Sequence, residues 1–100
     1  MVLARVRFVG SVRDVVKGTR DEIELVEGAT VGDLIRALVD KHGDALARRV
    51  LSPEGKLQSY TRVFVDGVEV EGNHVDRTPL ADGEATVNVE IFVVQMTMGG

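Results

Sequence analysis

Thr30-Val-Gly-Asp-Leu-Ile-Arg-Ala-Leu-Val-Asp-Lys-His-Gly43 is the clearest helix in the chain, and what flanks it sets the fold. Val31, Leu34, Ile35, Leu38 and Val39 fall at i, i+3, i+4, i+7 and i+8, one continuous apolar stripe. Thr30 stands as the N-cap, and Asp33 three residues on makes an acidic variant of the capping box, which prefers Glu or Gln. Lys41, His42 and Gly43 end the helix with cations and a glycine, as the helix dipole and an αL cap favour.

Upstream, Ala4, Val6 and Phe8 alternate with Arg5 and Arg7, the period of a half-buried strand, and Gly10-Ser11 breaks it. Val12, Val15 and Val16 fit a short helical turn before Lys17-Gly18. A second strand is expected over Asp21–Glu27, with Ile23 and Leu25 inward against Glu22 and Glu24, and Glu27-Gly28 closing it. Downstream, Ala45–Leu51 fits a shorter helix that the turn Ser52-Pro-Glu-Gly55 ends. Arg62–Val70 reads as two short strands around Asp66-Gly67, the strongest short-range hairpin signal. Glu71–Arg77 is irregular and Thr78–Gly83 is loop and turn. A last strand over Thr86–Val93 then puts Val87, Val89, Ile91 and Val93 on one face.

The order β-β-α-(short α)-β-β-β, with strands at both ends, predicts an α+β roll. The first and last strands can pair as central parallel neighbours, with the helix in the crossover. This is the β-grasp, or ubiquitin-like, arrangement: a mixed sheet of four to five strands, one main helix and a short second helix. A ferredoxin-like sandwich would want a long second helix, which is missing, and a small barrel is the other alternative. The domain is expected over residues 1–93, with a flexible C-terminal tail over residues 94–100.

Composition narrows the function. One hundred residues, 44% of them hydrophobic, suit one core and leave no room for a second. The net charge of −4 opposes a phosphate-backbone binder, and Arg48-Arg49 with Arg5, Arg7 and Arg13 form no basic stripe, so no nucleic-acid partner is expected. Arg5 and Arg7 stand where a signal peptide needs its apolar stretch. No apolar run approaches the roughly 18 residues of a membrane span. A cytoplasmic protein with no membrane partner is the expectation. The chain contains no cysteine, hence no disulfide, thiolate zinc site or side-chain persulfide.

The last two residues are Gly99-Gly100. Lacking a Cβ, they can pass through a channel too narrow for any side chain, and they leave an unhindered carboxylate. From Val93, seven residues at roughly 3.3–3.6 Å each reach about 23–25 Å, enough to place Gly100 in a partner's active site while the body docks outside.

The roll order, Val63-Phe-Val-Asp-Gly67, Thr78-Pro-Leu-Ala-Asp-Gly-Glu84 and the final Gly99-Gly100 together resemble the ubiquitin-like sulfur carrier family. That family includes the small subunit of molybdopterin synthase and the thiamine sulfur carrier. The stretch Val50–Tyr60 is similar to that of its longer subgroup, with archaeal small modifiers and a carrier used in cysteine biosynthesis. Family tails usually carry a small or apolar residue, often alanine, just before the glycine pair, and often a proline further upstream; here the tail is Val94-Gln-Met-Thr-Met98, and Met98 is apolar and adaptable enough for a groove. The resemblance implies that an E1-like adenylating enzyme spends ATP to convert the Gly100 carboxylate into an acyl-adenylate. A sulfur donor then displaces AMP, leaving a thiocarboxylate for an acceptor enzyme such as a larger synthase subunit, molybdopterin-type first. Gly100 would carry the sulfur, Gly99 would allow channel entry, and no bound cofactor is implied.

The remaining candidates are weaker. His42 reads as a helix C-terminal cation and His74, between Asn73 and Asp76, as a loop histidine, because metal coordination needs more convergent ligands; no metal site is expected. Phe64 and Phe92 lie out of phase with their inward neighbours. They form either a partner patch on an uncovered sheet face or a minor core beneath the Glu71–Thr78 loop. Met96 and Met98 follow the last strand and read as tail contacts with a partner. Two other functions stay open: a modifier joined to lysines through Gly100, and a β-grasp interaction module with incidental glycines.

Overall fold

In chain order the elements are β1 (Val2–Gly10), α1 (Arg13–Val16), β2 (Arg20–Leu25), α2 (Val31–His42), α3 (Asp44–Val50), β3 (Thr61–Val65), β4 (Val68–Val70) and β5 (Ala85–Val93), with a 3₁₀ turn at Gly72–His74. They are taken from a computed structural model that describes residues 1–16 and 18–93. The strands form one sheet in the order β2-β1-β5-β3-β4. β1 and β5 are parallel at its centre, in register from Val2↔Ala85 to Gly10↔Val93, and β1–β2, β5–β3 and β3–β4 are antiparallel. This is the β-grasp arrangement.

Alternation explains the layering. Val2, Ala4, Val6 and Phe8 of β1 and Val87, Val89, Ile91 and Val93 of β5 point to one face, and all are buried. α2 covers that face with Val31, Leu34, Ile35 and Leu38, and α3 adds Leu46 and Val50. Each large apolar side chain removed from water contributes about 1.5–3 kcal/mol, so the stripe and the two central strands dominate the core. The capping box forms in both directions: Asp33 N–H donates to Thr30 Oγ1 (3.2 Å) and Thr30 N–H to Asp33 Oδ2 (2.9 Å). Asp66 (φ 48°) and Gly67 (φ 85°) give a type I′ turn, which suits the strand twist on either side. Among the described residues no helix is long and apolar enough to cross a membrane.

Several expectations change. β1 and β5 are longer than the alternation indicated, because cross-strand pairing carries them past their last alternating residues. β2 stops at Leu25 instead of Glu27, and Val26 is 67% exposed beyond the end of its partner. The Val12–Val16 turn becomes a third, one-turn helix, α1, with Val12 fully buried. Gly43 caps α2 with φ 91° and ψ −170°, outside the αL basin that was expected; its N–H still donates to Val39 O, and the chain turns straight into α3. The Glu71–Thr78 loop lies on the helix side of the sheet: Gly32 N–H donates to Val75 O and Val31 N–H to Thr78 O, both at 2.9 Å. It therefore does not fold over Phe64 and Phe92.

A polar clasp ties the edge strand to the end of α2. Asp21 of β2 accepts from Lys41 Nζ, from Glu22 N–H (2.8 Å) and shares a 2.7 Å hydrogen bond with His42 Nε2. The His42 ring stands edge-on to Phe8, 6.0 Å between centroids. Only 12% of the Asp21 side chain is exposed. That burial alone would raise its carboxyl, but the hydrogen bonds from Lys41, His42 and the Glu22 amide outweigh it and hold the group below the ordinary carboxylate range.

A depressed folded-state carboxyl stabilises above its unfolded value, and that contribution is lost as pH falls through the lower folded value. Asp21→Asn is expected to cost about 1–3 kcal/mol in urea unfolding near neutral pH. The gap from the parent should narrow as pH falls below about 4. A gap that is absent at neutral pH, or constant into acid, removes the clasp from the stability of the fold.

Candidate functional site

The sheet face opposite α2 is uncovered among the described residues, and its composition follows from the strand period. It carries Leu3, Arg5, Arg7 and Val9 of β1, Glu22 of β2, Asn88, Glu90 and Phe92 of β5, and Arg62 and Phe64 of β3. The face has a polar and an apolar part. In the polar part Arg5 Nε meets Glu22 Oε2 at 3.2 Å and Arg7 Nη1 meets Glu90 Oε2 at 3.4 Å. These pairs line a groove with Arg20 and Asn88. Both arginines and Glu22 are exposed and Glu90 is half-buried, so these surface pairs organise the face and contribute little to stability.

The apolar part crosses three strands at the end of the sheet where β5 finishes. Val9 pairs across from Phe92, and Phe92 is the diagonal neighbour of Phe64. The two rings meet edge to face, with centroids 5.4 Å apart and planes at 73°. All three side chains are half-buried. Phe64 and Phe92 are thus neither loose aromatics nor a minor core; they form a fixed ridge open to solvent. Arg62, opposite Phe92, is turned along the sheet by its 3.0 Å ion pair with Glu69. Nearby, Asp66 N–H donates to Asn88 O (2.7 Å) and Asn88 N–H to Asp66 Oδ1 (2.9 Å), pinning the hairpin tip to the central strand.

Other expected site residues separate from this ridge. His74 is exposed in the 3₁₀ turn on the helix side, and His42 belongs to the Asp21 clasp. Among the described residues no group of three or more His, Asp or Glu side chains could hold a metal ion. Met96, Met98, Gly99 and Gly100 lie outside the described residues. Val9 was missed in the sequence, although its place after Phe8, on the opposite strand face, was signal enough. The Asp21 clasp joins residues 20 and 21 positions apart through tertiary contact, and carried no local signal.

Comparison places this geometry among known proteins. The sequence model of the ThiS family matches residues 6–94. SAMP1 from Haloferax volcanii is similar in structure, with a TM-score of 0.77, 22% identity, and 98% of this chain and 99% of that one covered. The HVO 2177 protein of the same organism has a TM-score of 0.72 at 27% identity, covering 99% of this chain and 87% of that one. The BexX/CysO complex of Amycolatopsis orientalis contains a chain with a TM-score of 0.65 at 25% identity, covering 97% and 99%. No curated protein sequence matches the chain significantly.

The ridge makes a thermodynamic prediction. Phe64→Ala and Phe92→Ala should each cost less than the about 3–5 kcal/mol of a fully buried ring. A double-mutant cycle should return a coupling of about 0.5–1.5 kcal/mol for the edge-to-face pair. Zero coupling in chemical denaturation means that the rings do not meet in solution.

Proposed function

The chain belongs to the ThiS family of ubiquitin-like sulfur carriers, and from that membership we propose that it carries sulfur on the carboxylate of Gly100. The observation that carries the proposal is the family match over nearly the whole β-grasp body, on a chain in which two glycines follow that body and no cysteine is present. Without cysteine, the chain has no side chain that holds transferable sulfur covalently, since the methionine thioether is already capped.

The chemistry is that of a tethered acyl group. A Gly100 carboxylate oxygen attacks the α-phosphorus of ATP on an E1-like activating enzyme, pyrophosphate leaves, and a mixed anhydride forms. Sulfur at the sulfide level from a donor attacks the carbonyl carbon, the C–O bond to AMP breaks, and a thiocarboxylate remains. It is a stronger nucleophile than the carboxylate it replaces and stays addressable through the folded body. The proposed acceptor is a synthase of the molybdopterin type. The catalytic groups belong to the partners; this chain supplies the carboxylate, glycine-wide access through Gly99 and a docking ridge at Val9, Phe64 and Phe92. Met96 and Met98 would add adaptable apolar contacts along the partner's groove. A ridge of fixed aromatics rimmed by solvated ion pairs has the anatomy of an interface core with a polar rim.

The test is intact mass after incubation with the activating enzyme, ATP and a sulfur donor. One oxygen at the C-terminus should exchange for sulfur. Deleting Gly100, or adding a residue after it, should abolish the exchange with melting unchanged. Gly99→Val should nearly do so by filling the channel. Phe64→Ser or Phe92→Ser should weaken docking to the enzyme by more than it lowers stability. Full exchange on an untrimmed, extended chain overturns the proposal, and lysine-linked adducts in place of sulfur exchange identify a modifier instead.

A further inference from the structure

We propose that Asp21 is an edge guard: its carboxylate keeps β2 of one molecule from pairing with β2 of a second copy. β2 is the longer outer edge of the sheet, six residues against three in β4. An edge of that length presents unpaired backbone groups to any strand of matching register. Which groups those are follows from the ladder. Phe8 N–H donates to Thr19 O at 2.8 Å, and bonded and non-bonded pairs alternate from there. Val6↔Asp21 and Ala4↔Ile23 are therefore bonded pairs, while Arg7↔Arg20, Arg5↔Glu22 and Leu3↔Glu24 are not. Arg20, Glu22 and Glu24 turn their N–H and C=O groups away from β1, toward the outer edge.

The same three residues make that edge complementary to itself. Two copies of β2 related by a two-fold axis run antiparallel, and only outward-facing residues can exchange hydrogen bonds across the seam. Centred on Glu22, the register sets Arg20 of each copy against Glu24 of the other. Shifted by two residues, it sets Arg20 against Glu22. Either way two pairs of opposite charge form between side chains that are exposed. Where the two Glu22 side chains meet at the centre, each is already offset by Arg5 at 3.2 Å. Both registers also need the Glu22 N–H as a donor.

That donor is taken. Glu22 N–H donates to Asp21 Oδ1 at 2.8 Å, and the carboxylate is held where it is. Lys41 Nζ donates to the same oxygen, and His42 Nε2 lies 2.7 Å from the other. With 12% of its side chain exposed, Asp21 has little room to swing away. An incoming carbonyl would meet a carboxylate oxygen where it needs an N–H, a repulsive contact at the middle of the seam. The clasp that joins β2 to α2 thus also closes the edge. This role is independent of what Gly100 carries.

The experiment is sedimentation velocity of the full chain across a wide range of concentration, well below each variant's melting temperature. It compares the parent, Asp21→Ala, Asp21→Asn, Lys41→Ala and the double variant Asp21→Ala with Arg20→Glu. Asp21→Asn loses the charge but keeps an oxygen for the Glu22 N–H. Lys41→Ala weakens the clasp from its other side and leaves the guard in place. Asp21→Ala is expected to raise the self-association constant by about 10–100-fold, the worth of two recovered hydrogen bonds per dimer. Asp21→Asn and Lys41→Ala should behave as the parent, and adding Arg20→Glu should cancel the gain by setting like charges across the seam. Hydrogen exchange on the parent gives a second readout: the Glu22 amide should exchange more slowly than those of Arg20 and Glu24. Parental self-association of Asp21→Ala, an equal gain in Asp21→Asn or Lys41→Ala, or a gain that survives Arg20→Glu overturns the proposal. So does a Glu22 amide that exchanges as fast as its two outward-facing neighbours in the parent. Failure of Asp21→Ala to fold overturns it too, since the carboxylate then serves folding alone.

Discussion

The parallel pairing of β1 with β5 is the constraint on which the rest of the molecule depends. Parallel neighbours cannot be joined by a tight turn, so the chain must leave the sheet and return, and α2 and α3 fill that excursion. Once the two strands lie side by side, their inner faces present a continuous apolar strip, and the α2 stripe is the surface that covers it. The two remaining places beside the pair go to β2 and to the β3–β4 hairpin. The outer face is set at the same moment. Strand alternation that buries Val6 and Phe8 turns Arg5, Arg7 and Val9 outward, and alternation that buries Ile91 and Val93 turns Glu90 and Phe92 to meet them.

Much of this was legible in the sequence because it rests on period and punctuation. The α2 stripe, its capping box and the Asp66-Gly67 turn are local patterns, and each reappears where it was read. Strand ends were less legible, since a strand stops where its partner stops: Leu25 ends β2 because pairing with Val2 ends there. The backbone of Gly43 followed the start of the next helix instead of the usual cap. Phe64 and Phe92 were legible as outward residues, yet their contact depends on the register between β3 and β5, which no single segment contains. The Asp21 clasp was hidden for the same reason.

The two faces also differ in how polar groups are used. On the helix side, Asp21 is largely shielded and its partners converge on it, so it stabilises one arrangement of β2 against α2. On the open side, Arg5, Arg7 and Arg62 are exposed and pair with acids at the surface, where such pairs are weak and readily exchanged. A rim of that kind can release its partners to a docking protein at little cost, while the ring pair beside it keeps its shape. Rigidity at the ridge and looseness around it suit the docking role proposed for this face.

The central pair has a consequence for biosynthesis as well. Its partners stand at opposite ends of the described chain, so the most buried contacts close the longest loop, and topologies of that kind fold slowly for their size. On the ribosome, β1 emerges first and waits through the synthesis of everything else for its neighbour. A chain cut short before β5 has β1 and β3 with unpaired edges and an uncovered α2 stripe, a species disposed to aggregation or degradation. The strand that completes the sheet ends at Val93, seven residues before Gly100, so the sheet closes only when nearly all of these hundred residues have been made.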